Sequence, residues 1–455
     1  MNFKQAIGIN PQLKKIYEHL IIKTSMGREM LFNSEFSTDK EFLLKQYSLT
    51  KECQRLISYI KDNDKMLLEC VLYDIHNIKG SISIIKNGDV LDDIGLFEVK
   101  AFCLSCKEIS EKTKMLKSSD FKIENLDDII SILDPEHTKT KQFYIYNAYD
   151  ESLSPLRKEF EDLKLKDDIK ATEIYNQIIE KENVVRENLC SCIRPHTQRL
   201  LKAIDKIALL DISIAKAELN IALNLTMPQL NDKKIMYHNM FNPIIKEVLN
   251  QKGKDFQPID ITLNKETMLI TGANMAGKTV ILKTLALNQL MIQFGFFAAC
   301  EDCSVCLVNN VLTSIGDKQN DDEGLSSFAS EILTLNGIIK LVKSQKRYLV
   351  LADELARTTN PVEGIKLLNG FITTINQGNS FAVITTHYSN ISAQCRHMRV
   401  KGFKAKGLIP PISIANLADN IDYSLEEDDT NQAANEAINL CRLLAIDSDW
   451  LSNCK

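Results

Sequence analysis

The sequence has no excess of positive charge. Its 455 residues carry 55 Lys or Arg against 60 Asp or Glu, a formal net charge of -5 at pH 7. A dedicated nucleic-acid binder ordinarily shows a basic balance or a basic patch, so the overall charge counts against that class and leaves room only for a local patch. Long hydrophobic runs are missing too. The most apolar stretch, residues 285–300, is interrupted by Asn288, Gln289 and Gln293 and is too short to span a bilayer. The opening residues, Met-Asn-Phe-Lys-Gln-Ala-Ile, lack the apolar core of a secretion signal. A cytoplasmic protein without membrane contact is expected.

In that compartment the twelve cysteines are expected to be reduced thiols. Cys103-x-x-Cys106 and Cys300-x-x-Cys303-x-x-Cys306 have the gaps found in zinc and iron–sulfur sites. No fourth ligand follows either group nearby, and Cys303 and Cys306 fall in a strand-like apolar run. Buried free thiols are the default reading. What the chain does have is an ordinary globular composition, 44% apolar and 25% charged, and a length of 455 residues, enough for roughly two to four domains.

Residues 1–235 read as a mainly α domain. Apolar residues at helical spacing predict helices over residues 14–25, 38–62 and 126–133. Leu200, Ile204, Ile207, Leu210, Ile214, Ala217 and Ile221 recur at gaps of three and four, one face of a long helix that stops before Pro228. Residues 151–190 form a charged, helix-prone excursion with seven Lys or Arg against ten Asp or Glu. Gripping DNA phosphates would need the opposite sign.

After Pro243 the texture changes. Residues 268–270, 348–352 and 381–384 are continuous apolar runs, as expected of strands covered on both faces. An α/β domain over 236–415 follows from this alternation. Residues 416–455 hold an acidic stretch, then a helix expected from about Asn431.

The α/β region carries the chemistry. Gly272-Ala-Asn274-Met275-Ala-Gly277-Lys278-Thr279 fits the G-x-x-x-x-G-K-[ST] phosphate loop, between an apolar strand and a helix expected over residues 280–293. The glycines let consecutive N–H groups turn toward phosphate, and the helix adds its positive end. Lys278 would neutralise the β- and γ-phosphates and the Thr279 hydroxyl would hold Mg²⁺. Asp353-Glu354 close another apolar strand, where Asp353 suits a magnesium partner and Glu354 the group polarising an attacking water. Thr386-His387-Tyr388 closes a third strand, with His387 placed to sense the γ-phosphate.

Together these segments resemble the MutS family of ABC-type ATPases. The loop is similar to that family's Gly-Pro-Asn-Met-Gly/Ala-Gly-Lys-Ser/Thr, with Asn274-Met275 its most diagnostic part. Asp353-Glu-Leu-Ala-Arg357-Thr-Thr-Asn-Pro-Val-Glu-Gly364 resembles Asp-Glu-x-x-Arg-Gly-Thr-x-x-x-x-Gly, and Thr386-His387-Tyr388 matches Thr-His-Tyr. Gly324-Leu-Ser326-Ser327-Phe328-Ala-Ser-Glu331 is similar to the signature segment. Phe256-Gln-Pro-Ile-Asp-Ile looks like the strand whose aromatic stacks on adenine. Ser25-Met-Gly-Arg-Glu and Ser152-Leu-Ser-Pro-Leu-Arg look like parts of the family's core and lever region.

The resemblance implies a core/lever-like first domain, with 151–190 as a shortened clamp, ahead of a P-loop ATPase that uses ATP and Mg²⁺. It implies a homodimer, or a heterodimer with a MutS-like paralogue, in which Ser326 caps the γ-phosphate held by the other protomer. It also implies departures. The sequence begins in core-like helices, so a form without the mismatch reader and connector is expected. Thr358 replaces a usual glycine, and Asn360-Pro361 a usual Ser-Thr. Two loads follow: DNA, as in the mismatch repair family, or a protein client. The second arises because the Asp353–Pro361 segment looks like a MutS-like branch associated with reactivating lysine 5,6-aminomutase by cobalamin exchange.

Overall fold

The computed structural model describes residues 1–273, 276–316, 327–357, 359–403, 420–428, 441–442 and 444–454. Eleven α-helices precede the first strand: α1 (Phe3–Ile9), α2 (Pro11–Glu18), α3 (Ser25–Asn33), α4 (Lys40–Tyr59), α5 (Asp62–Asp74), α6 (Lys79–Asn87), α7 (Asp93–Lys112), α8 (Asp127–Leu133), α9 (Leu153–Leu163), α10 (Asp168–Ile193) and α11 (Thr197–Leu223). The chain divides into two compact units. Leu20–Ser34 with Ser48–Glu218 forms a helical unit, and Met1–His19, Glu35–Tyr47 and Leu219–Lys455 form a sheet-containing unit.

Local chemistry sets the helix starts. Asn2 and Gln5 form a capping box on α1, and Asn10 caps α2 with Pro11 in its first turn. The single helix expected over residues 14–25 is instead broken: α2 ends at Glu18 and α3 starts at Ser25. Within the helical unit, buried Asp211 of α11 accepts the Lys23 N–H (3.1 Å), the Thr24 N–H (2.7 Å) and the Thr24 hydroxyl (2.7 Å). The Thr24 hydroxyl in turn accepts the Gly27 N–H at 2.9 Å, which fixes Thr24 as an extended N-cap. Three long-range hydrogen bonds outweigh the local periodicity. A Cβ on Gly27 would stand 2.7 Å from Asp211 Oδ2, so only glycine fits there.

The other expected helices are present, as α4, α8 and α11. Residues 151–190 form the helical hairpin α9–α10, with Asp167 capping α10. Apolar faces of these helices, among them Leu96, Phe102, Ile129, Leu189, Ile204 and Ile207, make the core of the helical unit. Cys103 and Cys106 are buried in it on α7. A fully buried ion pair joins Lys100 to Asp134 at 3.0 Å, with Tyr146 OH and the Gln142 carbonyl completing the ammonium's partners.

The sheet unit contains two sheets. Strands β1 (Gln229–Asn231), β2 (Ile235–Met240), β3 (Ile259–Leu263) and β5 (Asp302–Cys306) form one, in the order β1-β5-β2-β3. The first two lie before Pro243, ahead of the change in texture. They are short and mixed in polarity, so no continuous apolar run marks them.

The second sheet contains β4 (Met268–Thr271), β6 (Asn310–Ser314), β7 (Tyr348–Ala352), β8 (Phe381–Thr385), β9 (Arg396–Phe403) and β10 (Ile421–Glu427), ordered β10-β9-β4-β8-β7-β6. Five strands run parallel and β10 antiparallel. Helices α12 (Pro243–Gln251), α13 (Lys278–Gln293), α14 (Ser327–Val342) and α15 (Pro361–Asn376) connect the strands. The fold is therefore mainly helical over the first half and α/β over the second. The helix expected from about Asn431 falls largely outside the described residues.

Helix α13 is buried nearly all round, which explains the apolar stretch at 285–300. Its amides are used as ties. Asn288 Oδ1 accepts the Ala299 N–H at 2.7 Å, and Gln293 Nε2 donates to the Val308 carbonyl at 2.8 Å. Among the described residues no helix is long and apolar enough to cross a membrane.

Candidate nucleotide site

In a parallel sheet the strand ends and the following turns converge on one edge, where a ligand can meet several strands. The ends of β4, β7 and β8 do so here. Strand β4 stops at Thr271, and α13 starts at Lys278. The turn between them needs two left-handed glycines, Gly272 at φ +147° and Gly277 at φ +77°. A Cβ on Gly277 would also lie 2.9 Å from the Tyr423 ring. Lys278 is buried, and its ammonium folds back to donate to the carbonyls of Gly272 (2.8 Å) and Ala273 (2.9 Å).

Asp353, next after β7, faces the first turn of α13. The Thr279 hydroxyl donates to Asp353 Oδ2 at 2.6 Å, and the Thr385 hydroxyl to Asp353 Oδ1 at 2.6 Å. Glu354 follows, with its N–H on the Thr385 carbonyl and hydroxyl. Its carboxylate is hydrogen-bonded to His387 Nε2 through Oε1, and Arg357 Nη1 stands 3.2 Å from Oε2. Partial burial pushes the Glu354 carboxyl up, but the bond to His387, the charges of His387 and Lys278 and the bond to Arg357 outweigh it and hold it below the usual glutamate value. Lys278, Thr279, Asp353, Glu354 and His387 are thus brought together by three strand ends.

A cavity of about 620 Å³ adjoins the loop at Gly277. Phe256, Ile259, Val280, Ile281, Ile421 and Tyr423 are among its walls, mostly apolar. Phe256 lies in the loop before β3 rather than in the strand itself, because Pro258 intervenes and β3 starts at Ile259. Tyr423, from β10, has no motif around it and only the fold brings it here. Gln257 joins the two walls: Nε2 donates to Asp422 Oδ1 at 2.8 Å, and Oε1 accepts the Tyr423 N–H at 3.2 Å.

Asn274, Met275, Ser326 and Thr358 lie outside the described residues. Asn360 and Pro361 have a local role: the Asn360 side chain accepts the Val362 N–H at 2.9 Å and caps α15, with Pro361 in the first turn. Among the described residues no three His, Cys, Asp or Glu side chains cluster to hold a metal. Cys300, Cys303 and Cys306 are buried at and beside β5.

Left-handed glycines ahead of a helix start, a carboxylate bonded to the helix's second residue and an adjoining apolar cavity are the arrangement of a P-loop nucleotide site. Residues 268–417 match the family model MutS domain V. The chain is 34% identical over 220 residues to "Endonuclease MutS2" of Halothermothrix orenii, covering 47% of this chain and 27% of that protein. It is 35% identical over 218 residues to the protein of that name from Geobacillus sp., covering 47% and 27%, and 33% identical over 226 residues to that of Ligilactobacillus salivarius, covering 48% and 27%. The chain thus spans about a quarter of the length of these relatives. These matches make the second half of the chain similar to the MutS family, through its domain V and the MutS2 proteins.

Proposed function

We propose that the protein is a MutS-type switch that binds and hydrolyses ATP as a dimer. The observation that carries this is the convergence of Lys278, Thr279, Asp353, Glu354 and His387 on one edge of the sheet, beside a cavity that can take a base. Gly272, Asn274, Met275 and Gly277 form the phosphate loop in this reading, and Phe256 and Tyr423 flank the base. Lys278 leaves the carbonyls of Gly272 and Ala273 for the β- and γ-phosphates.

Thr279 and Asp353 offer a hydroxyl and a carboxylate 2.6 Å apart, hard oxygen donors that suit Mg²⁺, an ion that completes its shell with phosphate and water. That ion would offset charge on the β- and γ-phosphates. Glu354 accepts the proton of a water that attacks the γ-phosphorus, and the bond from that phosphorus to the β-phosphate oxygen breaks. His387, bonded to Glu354, orients its carboxylate and meets the γ-phosphate. Ser326 caps the γ-phosphate of a second protomer. The domain assignment consistent with this places the motor at 236–415, after a lever-like region at 1–235.

The load is DNA or a protein client. The relatives' name, endonuclease, points to nucleic acid for those proteins. The excess of acidic residues in the α9–α10 hairpin favours a protein client here, and an aminomutase awaiting reactivation is the candidate. Glu354→Gln should bind ATP and sediment as a stable dimer; a variant that remains monomeric with ATP would remove the dimeric switch. Duplex, mismatched or branched DNA that binds at low salt and stimulates turnover would decide for DNA. Recovery of aminomutase activity with ATP would decide for the client.

A further inference from the structure

Two residues of the turn after β7 have a left-handed backbone although neither is glycine: Glu354 at φ +49° and Ala356 at φ +60°. L-residues seldom adopt this conformation, and it persists where the surroundings hold it in place. At Glu354 the holding groups are the carbonyl and hydroxyl of Thr385, which accept its N–H at 3.1 and 3.0 Å. At Ala356 they are two side chains from different elements. The Ala356 N–H donates to Glu331 Oε1 of α14 at 2.8 Å, and the Tyr388 hydroxyl, beyond β8, donates to the Ala356 carbonyl at 2.7 Å.

The grip of Tyr388 has its own requirement. A Cβ on Gly364 would stand 2.4 Å from the Tyr388 hydroxyl, so α15 must present a glycine there. Burial, and then the charge of nearby Glu331, push the Tyr388 phenol up, so its hydroxyl stays a donor. One peptide of the turn is therefore held at its N–H by a carboxylate and at the next carbonyl by a phenol. Two residues upstream is the carboxylate bonded to His387.

We propose that Glu331 and Tyr388 are positioning residues. They hold the 354–356 turn in its left-handed form and so aim the Glu354 carboxylate, acting on the chemical step rather than on nucleotide affinity. This rests on the reading of Glu354 as the group that takes the proton of water.

Steady-state ATP turnover of Glu331→Ala, Glu331→Gln, Tyr388→Phe and Glu354→Gln tests it. Glu331→Ala and Tyr388→Phe should each lower kcat by about tenfold or more, with KM for ATP within about twofold of wild type. Glu331→Gln, whose amide oxygen still accepts the Ala356 N–H, should stay within about threefold of wild-type kcat. Wild-type kcat in Glu331→Ala and Tyr388→Phe, with turnover lost in Glu354→Gln, would overturn the positioning role alone. Equal losses in Glu331→Ala and Glu331→Gln would also overturn it, since the acceptor would not be what matters. Wild-type turnover in Glu354→Gln would overturn the underlying reading instead.

Discussion

The Thr279 hydroxyl donates to Asp353 Oδ2 at 2.6 Å, joining the first turn of α13 to the end of β7. The two residues that hold the magnesium ion in the proposed function are thus already in register across two elements. Asp353→Ala should therefore remove most of the enhancement that Mg²⁺ gives to ATP binding. Titrations with and without the metal measure it; an undiminished magnesium effect in the variant would show that the ion is held elsewhere.

The acid limb of turnover should lie low. His387, Lys278 and Arg357 favour the ionised form of Glu354 and hold its carboxyl below the ordinary value of 4.5. A base works when ionised, so the rate attributable to Glu354 is retained down to that depressed value and lost as pH falls through it. Removing one positive neighbour, as in Arg357→Ala, weakens the ionised form and should move the inflection toward neutral pH. A kcat–pH profile with the limb unmoved would show that Arg357 does not influence this carboxylate.

The cavity beside Gly277 separates base binding from phosphate binding. Phe256→Ala and Tyr423→Ala should each weaken ATP binding, by about 1–3 kcal/mol if each ring stacks on the base. Inorganic pyrophosphate, which has no base, should bind both variants like wild type. Equal losses for the two ligands would mean that the rings support the loop rather than the base.

Lys216, buried in α11, is pushed down to about 7 by burial from an ordinary 10.5. Between those values the unfolded chain binds the proton and the folded chain does not, so this group makes stability rise with pH over that window. Lys216→Met should remove that contribution and raise the unfolding midpoint most at neutral pH. Denaturant unfolding across pH 7 to 10.5 measures the difference; a variant less stable at neutral pH would show that the ammonium makes interactions that exceed its burial cost.

The candidate site was legible where chemistry is local in sequence. The Gly272–Thr279 loop, Asp353-Glu354 and His387 each sit at the end of an apolar run, and those runs became β4, β7 and β8. Tyr423 was not legible, because an antiparallel strand far along the chain brings it to the loop. Phe256 came from resemblance and stands in a loop rather than a strand. Glu331 was visible as a residue of the signature-like segment, but its hold on Ala356 depends on a left-handed turn that no pattern of residues announces. In the helical half, amphipathic spacing found α4, α8 and α11. It ran α2 into α3, because the break at Thr24 is made by Asp211, distant in sequence.

The central claim is that this edge of the sheet cleaves ATP through Glu354. Phosphate release from Mg²⁺-ATP by wild type and Glu354→Gln, with ATP affinity measured on the same preparations, tests it most directly. The expected result is steady release by wild type, with release lost and ATP binding kept in the variant. Equal release from the two proteins, or none from either with ATP bound, would contradict it.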